Sequence, residues 1–221
     1  MVKYSISQNL FSMEFCRNLP ADCYSLDDTT TDNGLSGDSD LNNLVPNYNT
    51  YDATILEFDF TTKGGNVSFN YVFASEEYIE YTNTEYNDVF GFFLDGQNIA
   101  LIPGTNTPVA INTVNGGDPL GNNPSNPQFF NKNDLNDGGV FHNLEYDGFT
   151  TAFTAQALGL SAGTHTIKLA IVDTGDALLD SAVFVQANSF SSDVPEPSVL
   201  MGLFAIGFGA TYLKCNQQKE I

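Results

Sequence analysis

The sequence predicts an all-β fold, an antiparallel β-sandwich of jelly-roll type followed by a short C-terminal hydrophobic helix, and three observations lead there. Apolar and polar residues alternate in several runs with the period of two that sends one set of side chains to one sheet face. Nineteen Gly and nine Pro supply turns at a density that suits strands better than helices. A hydrophobic content of 42% and an aromatic content of 13% suffice for one packed core in 221 residues.

Taken in order, residues 1–26 are an atypical or truncated N-terminal segment. Only scattered apolar residues interrupt Ser5, Ser7, Gln8, Asn9 and Ser12, so no signal peptide is recognisable there. Cys16 and Cys23 can pair in an exported chain or stay as thiols, and Cys215 lies beyond a hydrophobic stretch that separates it from them. From Leu26 to Asn49 the sequence is dominated by Asp, Asn, Thr, Ser and Gly, which form turns by bonding side chain to backbone. Within that loop Asp38-Ser39-Asp40-Leu41-Asn42 imitates the start of a calcium loop. Asn43 at the glycine position and Asn49 in place of the closing Glu argue against a helix-flanked calcium hand, which leaves the segment as an arm of some other cation site.

Ala53 to Phe60 alternates Leu56, Phe58 and Phe60 against Ile55, Glu57 and Asp59, and Lys63-Gly64-Gly65 reads as a hairpin turn into a second strand. That strand sets Val67, Phe69, Tyr71 and Phe73 on its core face. Val89 to Leu94 is a third strand, and Asp95-Gly96 offers the positive φ angles of a two-residue hairpin into Gln97 to Leu101. Val109 to Val114 is a short strand, residues 115–137 are a long polar surface connection, and Phe149 to Ala155, Thr164 to Val172 and Ser181 to Phe190 complete the sheets.

Gly159-Leu160-Ser161-Ala162-Gly163 matches the G-x-S-x-G of a hydrolase elbow, with His165 nearby. An elbow needs a helix after the serine, and here a strand pattern follows, so the segment reads as a hairpin turn without catalytic work. His142 and His165 have no partners at zinc spacing.

The acids are more informative. Seven Lys and Arg against 27 Asp and Glu give a net charge of −20, which repels phosphate backbones and anionic membranes and argues against nucleic acid as a partner. The adjacent Glu76 and Glu77, in an extended segment, would point to opposite faces and could not flank one glycosidic bond together. Glu77 and Asp88 bound an acidic connection, and Asp173, Asp176 and Asp180 are spaced along the loop between the last two strands, where a winding backbone can turn several oxygens inward. These five are the expected metal ligands, and calcium is the expected ion, since it takes six to eight oxygens at about 2.3 to 2.6 Å. The competing reading is that they cap turns and strand ends.

FASEEY at Phe73 to Tyr78, NDVFGFFLDG at Asn87 to Gly96, PVAINTVN at Pro108 to Asn115, EYDGFT at Glu145 to Thr150 and IVDTGDALLDSAVF at Ile171 to Phe184 recur in this order. Together they resemble the bacterial choice-of-anchor L domain over roughly Asp27 to Phe190. The resemblance implies an extracellular β-rich module, residues 27–193 as the domain, and no enzymatic activity.

Residues 194–221 form a second signal. Val194-Pro195-Glu196-Pro197 precedes an uncharged apolar run, Val199 to Leu213, anchored by Val199, Leu203, Ile206 and Leu213, and Lys214 then supplies a basic flank. The segment resembles the PEP-CTERM sorting signal, which implies an exosortase-type membrane transpeptidase of Gram-negative bacteria as a partner. Fifteen apolar residues fall short of the ~20 of a stable span, which suits transient anchoring in the inner membrane. The expected function is an exported binding or structural module of the envelope or biofilm matrix, with matrix polysaccharide as a further partner. The alternatives are a calcium-dependent carbohydrate-binding module and a polysaccharide hydrolase using Glu77 and Asp88.

Overall fold

A computed structural model of the chain describes residues 4–7, 28–117, 121–142, 144–186 and 189. The proposed sorting signal, its hydrophobic helix and the three cysteines lie outside them. The described elements are strands β1 (Tyr4–Ser7), β2 (Thr50–Ser75), β3 (Val89–Leu94), β4 (Gln97–Asn98), β5 (Val109–Ala110), β6 (Phe130–Lys132), β7 (Gly148–Thr150), β8 (Phe153–Thr174) and β9 (Ser181–Val185). A four-residue helix α1 (Ser39–Asn42) and a 3-10 turn at Pro127–Phe129 complete them. No described helix is long and apolar enough to cross a membrane.

All pairings are antiparallel and join one sheet in the order β1-β9-β2-β8-β3-β4, with β5 on β3 and β6-β7 on the end of β2. Instead of the two separate sheets of a sandwich, this one sheet curls until its own inner face meets itself. The geometry requires the curl. Phe69 pairs with Ala155 and Phe92 with Leu169, both on β8, so their backbones would stand roughly 45 Å apart along a straight strand. Their rings are 4.3 Å apart, edge to face. Around them the inner-face side chains Tyr71, Phe73, Phe90, Phe153, Ile167, Ile171 and Val183 form the main core.

Two turns expected from the glycines are absent, and the chain runs straight through both. β2 continues across Lys63-Gly64-Gly65, and β8 continues across the segment containing Ser161, so that Lys63 faces Ala162 and Gly65 faces Leu160. Gly64 and Gly65 have φ of +101° and +131°, Gly159 and Gly163 of +69° and +149°, and the register slips between Gly65 and Val67. Glycine tolerates positive φ without a Cβ clash, and here that freedom bends two paired strands together rather than reversing either. The expected strands therefore exist, fused pairwise, with Val67, Phe69, Tyr71 and Phe73 in the core as their alternation predicts.

The hairpin at Asp95-Gly96 does form, at φ +50° and +79°, and it docks on β8. Asp95 accepts from the Thr166 N–H at 2.9 Å and from His165 Nδ1 at 2.6 Å, while His165 Nε2 faces the Ser161 carbonyl at 3.0 Å. With an acceptor opposite each ring nitrogen, the imidazolium is favoured, first by Asp95 and then by the carbonyl, and its pKa rises.

The outer face of β3 and β8 is covered by the 38–48 segment, where Leu41, Val45, Val89, Phe93, Ala110, Ala170 and Val172 form a second cluster. Asp38 caps α1 by accepting from the Asp40 and Leu41 N–H groups. Lys168 Nζ donates to Asp38 Oδ2 and Asp40 Oδ2, each at 2.7 Å. Lys168 thus bonds both acids of the stretch that imitates a calcium loop and offsets part of their charge, which argues against its reading as an arm of a cation site.

Phe92→Ala should destabilise the protein by about 3–5 kcal/mol in urea unfolding, because it removes the ring that closes the curled sheet on Phe69. The contribution of the ion pair should depend on pH. His165, with its raised pKa, contributes fully below the usual histidine range and loses its contribution as pH rises through its folded value; Asp95, with its lowered pKa, loses its part only in acid. The stability difference between wild type and His165→Gln should be largest between the usual carboxylate and histidine ranges and shrink above them.

Candidate functional site

At one end of the curled sheet, inner-face alternation runs off the apolar core into acids. Phe73 is followed on its face by Ser75, Phe90 is preceded by Asp88, Ile171 is followed by Asp173, and Val183 is preceded by Ser181. Continuing the Val89–Val172 pairing by one step sets Asp88 opposite Asp173, and Ser75 pairs directly with Ser181. All four sites are buried.

Asp88 ties three strands together. Its Oδ1 accepts from the Thr174 N–H at 2.9 Å at the end of β8, and its Oδ2 accepts from Ser181 Oγ at 2.6 Å at the start of β9. Strand β2 joins through the Glu76 N–H, which donates to the Asp180 carbonyl at 3.1 Å. The segment before α1 lies across this end: the Thr31 N–H donates to Asp180 Oδ1, and Asp52 accepts from the Asn33 and Leu35 N–H groups.

The chain leaves its extended course at Ser75, whose Oγ accepts from the Glu77 N–H, and the Tyr81 N–H then closes a turn on the Glu77 carbonyl. Glu76 and Glu77 are both buried there, at 1% exposure each. Loop 76–88 is packed from behind by aromatic residues. Tyr78 donates to the Val114 carbonyl at 2.7 Å and lies against Phe130, and Gly148 sits where a Cβ would come within 2.6 Å of the Phe130 ring and 2.8 Å of Tyr78. Asn87 accepts from the Asn112 N–H, and Asn115 bonds the Ile111 carbonyl and the Gly117 and Ser125 N–H groups. The conspicuous asparagines of the sequence are thus ties between loops.

Electrostatically this end is one-sided. Burial raises the pKa of Glu77, and Asp88, Asp176 and Glu80 push it further. Burial likewise raises Asp88 against the lowering effect of its two donors, with Asp176 and Asp180 adding repulsion. Asp180 is pushed up to about 6 by burial, opposed by the Thr31 N–H and reinforced by Asp52. Every charged neighbour acting on these three groups is another carboxylate. Glu77 Oε2, Asp180 Oδ2 and Thr174 Oγ1 are buried without a hydrogen-bond partner among the described residues.

All five anticipated ligands thus lie on the structure that surrounds this end, Asp176 half-buried on the loop between β8 and β9 with its Oδ1 accepting from the Leu178 N–H. The three acids whose oxygens lie within 4.8 Å of one another are different ones: Glu80, Asp134 and Asp137. Sequence reading passed over this trio because Asp134 and Asp137 sit in what reads only as a polar connection. Both oxygens of Asp134 accept from backbone, the N–H groups of Asn136 and Asp137, and Glu80 is exposed. Thr174, Ser181 and Asp52 were also not singled out; a serine or threonine beside a strand end carries no signal until its partner is known.

Asp88→Ala should lower stability by about 2–5 kcal/mol in chemical denaturation, since it strands the buried Thr174 N–H and Ser181 hydroxyl. Asp88→Asn keeps one acceptor oxygen and should cost less.

A family model described as the Choice-of-anchor L domain matches residues 16–191. It begins earlier than the expected residue 27, so Cys16 and Cys23 fall within the matched region. No curated protein and no solved structure matches the chain.

Proposed function

The chain belongs to the choice-of-anchor L domain family, which marks a protein sorted to the cell surface or outside the cell, and from that membership we propose a non-catalytic binding or structural module of the envelope or biofilm matrix. The observation that carries the non-catalytic reading is the fate of the acids and asparagines in the shared motifs. Asp88, Asn87, Asn115 and Ser181 are buried, and their polar atoms bond backbone or one another across strand ends. A glycosidase pair must flank a sugar ring in a cleft open to a polymer, whereas Glu77 and Asp88 are 1% and 0% exposed. That burial favours the module over the hydrolase reading.

Sorting is proposed to run through the C-terminal segment. Pro195 and Pro197 disfavour helix at the motif and keep it extended, while the short apolar run after it holds the motif at a membrane surface within reach of a membrane transpeptidase. The domain's last strand ends at Val185, so the motif follows on the domain after a short connection. Once sorted, the net charge of −20 keeps copies of the module apart and disposes it toward cations and neutral polysaccharide rather than anionic polymers.

The C-terminus of the mature protein decides the sorting reading. Expressed behind a working export signal in a host with an exosortase, the product should lack the residues after Pro195-Glu196-Pro197 by mass spectrometry, and in a host without one it should retain Ile221. Intact Ile221 in both hosts would make the tail a plain anchor.

A further inference from the structure

We propose that Glu77, Asp88, Asp176 and Asp180 form the binding site of one divalent cation, with calcium as the fitting ion, that clamps loop 76–88 onto the loop between β8 and β9. This inference concerns the domain and does not depend on how the chain is sorted.

The first support is placement. Asp88 is fixed at the start of β3 by donors from β8 and β9, Asp180 is fixed by the Thr31 N–H, and Glu77 is turned inward by the bend at Ser75. The two loops touch: a Cβ on Gly175 would come within 2.9 Å of the Tyr86 ring and 3.0 Å of the Glu85 carbonyl. Asp88 bonds Ser181, the residue after Asp180, and the Glu76 N–H, beside Glu77, donates to the Asp180 carbonyl, so Glu77, Asp88 and Asp180 stand around one sheet end, with Asp176 on the adjoining loop.

The second support is independent of the clustering. Glu77 Oε2 and Asp180 Oδ2 are buried on residues 1% exposed and have no hydrogen-bond partner, and Thr174 Oγ1 beside Asp88 is in the same state. A buried carboxylate oxygen without a donor or a counter-charge is among the costliest groups a fold can hold. Elsewhere this same chain sets the Lys168 ammonium between two carboxylates, Asp38 and the more exposed Asp40. Among the described residues, no Lys, Arg or His is among the groups that shift Glu77, Asp88 or Asp180. A bound cation would supply what Lys168 supplies on the outer face.

Donor chemistry selects the ion. The site offers carboxylate and hydroxyl oxygens and neither sulfur nor imidazole, the set of a hard cation that accepts irregular geometry, and calcium takes six to eight such oxygens where magnesium demands a near-ideal octahedron. The two least restrained ligands are Glu77, through its unpartnered oxygen, and Asp176, on its half-buried loop.

The test uses the full chain stripped with chelator and then given calcium. At about 10 mM, a hundredfold excess over a dissociation constant of about 0.1 mM, calcium should raise Tm by about 5–10 °C. Terbium should luminesce on tyrosine excitation through Tyr86, which lies beside Asp176. Glu77→Gln and Asp180→Asn should lose both responses, and without calcium Glu77→Gln should melt no lower than wild type, because an amide relieves the repulsion. Glu80→Gln and Asp137→Asn, from the trio with Asp134, should keep both. No calcium shift in wild type would overturn the proposal, as would a shift that survives Glu77→Gln and Asp180→Asn or one that disappears in Glu80→Gln. If Glu77→Gln does not fold, Asp176→Asn decides in its place by the same two readings.

Discussion

Two antiparallel strands paired over more than twenty residues each must either form a ribbon with both faces wet or bend until one face covers itself. This chain bends. The glycines at 64, 65, 159 and 163 allow both strands to turn the corner without breaking their ladder, and the aromatic inner face then closes on itself through Phe69 and Phe92. Every other strand is placed by that corner: β9 and β7 beside the far half of β2, and β3 with its hairpin beside the far half of β8. The Asp88–Ser181 bond forms only because the curl brings the start of β9 against the start of β3.

Much of this was legible in the residues. Alternation identified Val67 to Phe73 and their facing, the VFGFFL run gave the limits of β3, and Asp95-Gly96 announced its hairpin. What could not be read was the sense of the glycine pairs, since positive φ serves a reversal and a bend equally well. The choice is made by a partner strand some hundred residues away, which continues to pair through the bend. The same distance hid the acid-bonding roles of Thr174 and Ser181. The two aspartates of Asp38 to Asp40 show the converse: their spacing suggests a metal loop, and a lysine on a distant strand supplies the charge instead.

Polar groups in this domain divide by location. On the outer face an ammonium, two carboxylates and the Phe93 ring, 5.6 Å from Lys168 Nζ, satisfy one another. At the hairpin an imidazolium answers Asp95. At the sheet end hydrogen bonds from main-chain N–H and hydroxyl groups reduce the strain on Asp88 and Asp180 without cancelling their charge. With seven basic residues in the whole chain, internal cations are scarce, and where they stand is a matter of design rather than abundance.

The pairing of Thr50 with Thr174 and Tyr71 with Phe153 also sets an order of events for a chain made from its N-terminus. Until β8 has been synthesised, β2 lacks the partner along which most of its ladder runs, and the described pairings on offer are short ones of two or three residues, β3 with β4 and β5, β6 with β7, and β7 with the end of β2. A topology with so large a separation between paired residues folds slowly, because loop closure must precede the contacts that reward it. A nascent chain that has not yet reached β8 leaves most of the β2 ladder unpaired, and the curled sheet closes only once that distant strand has been made.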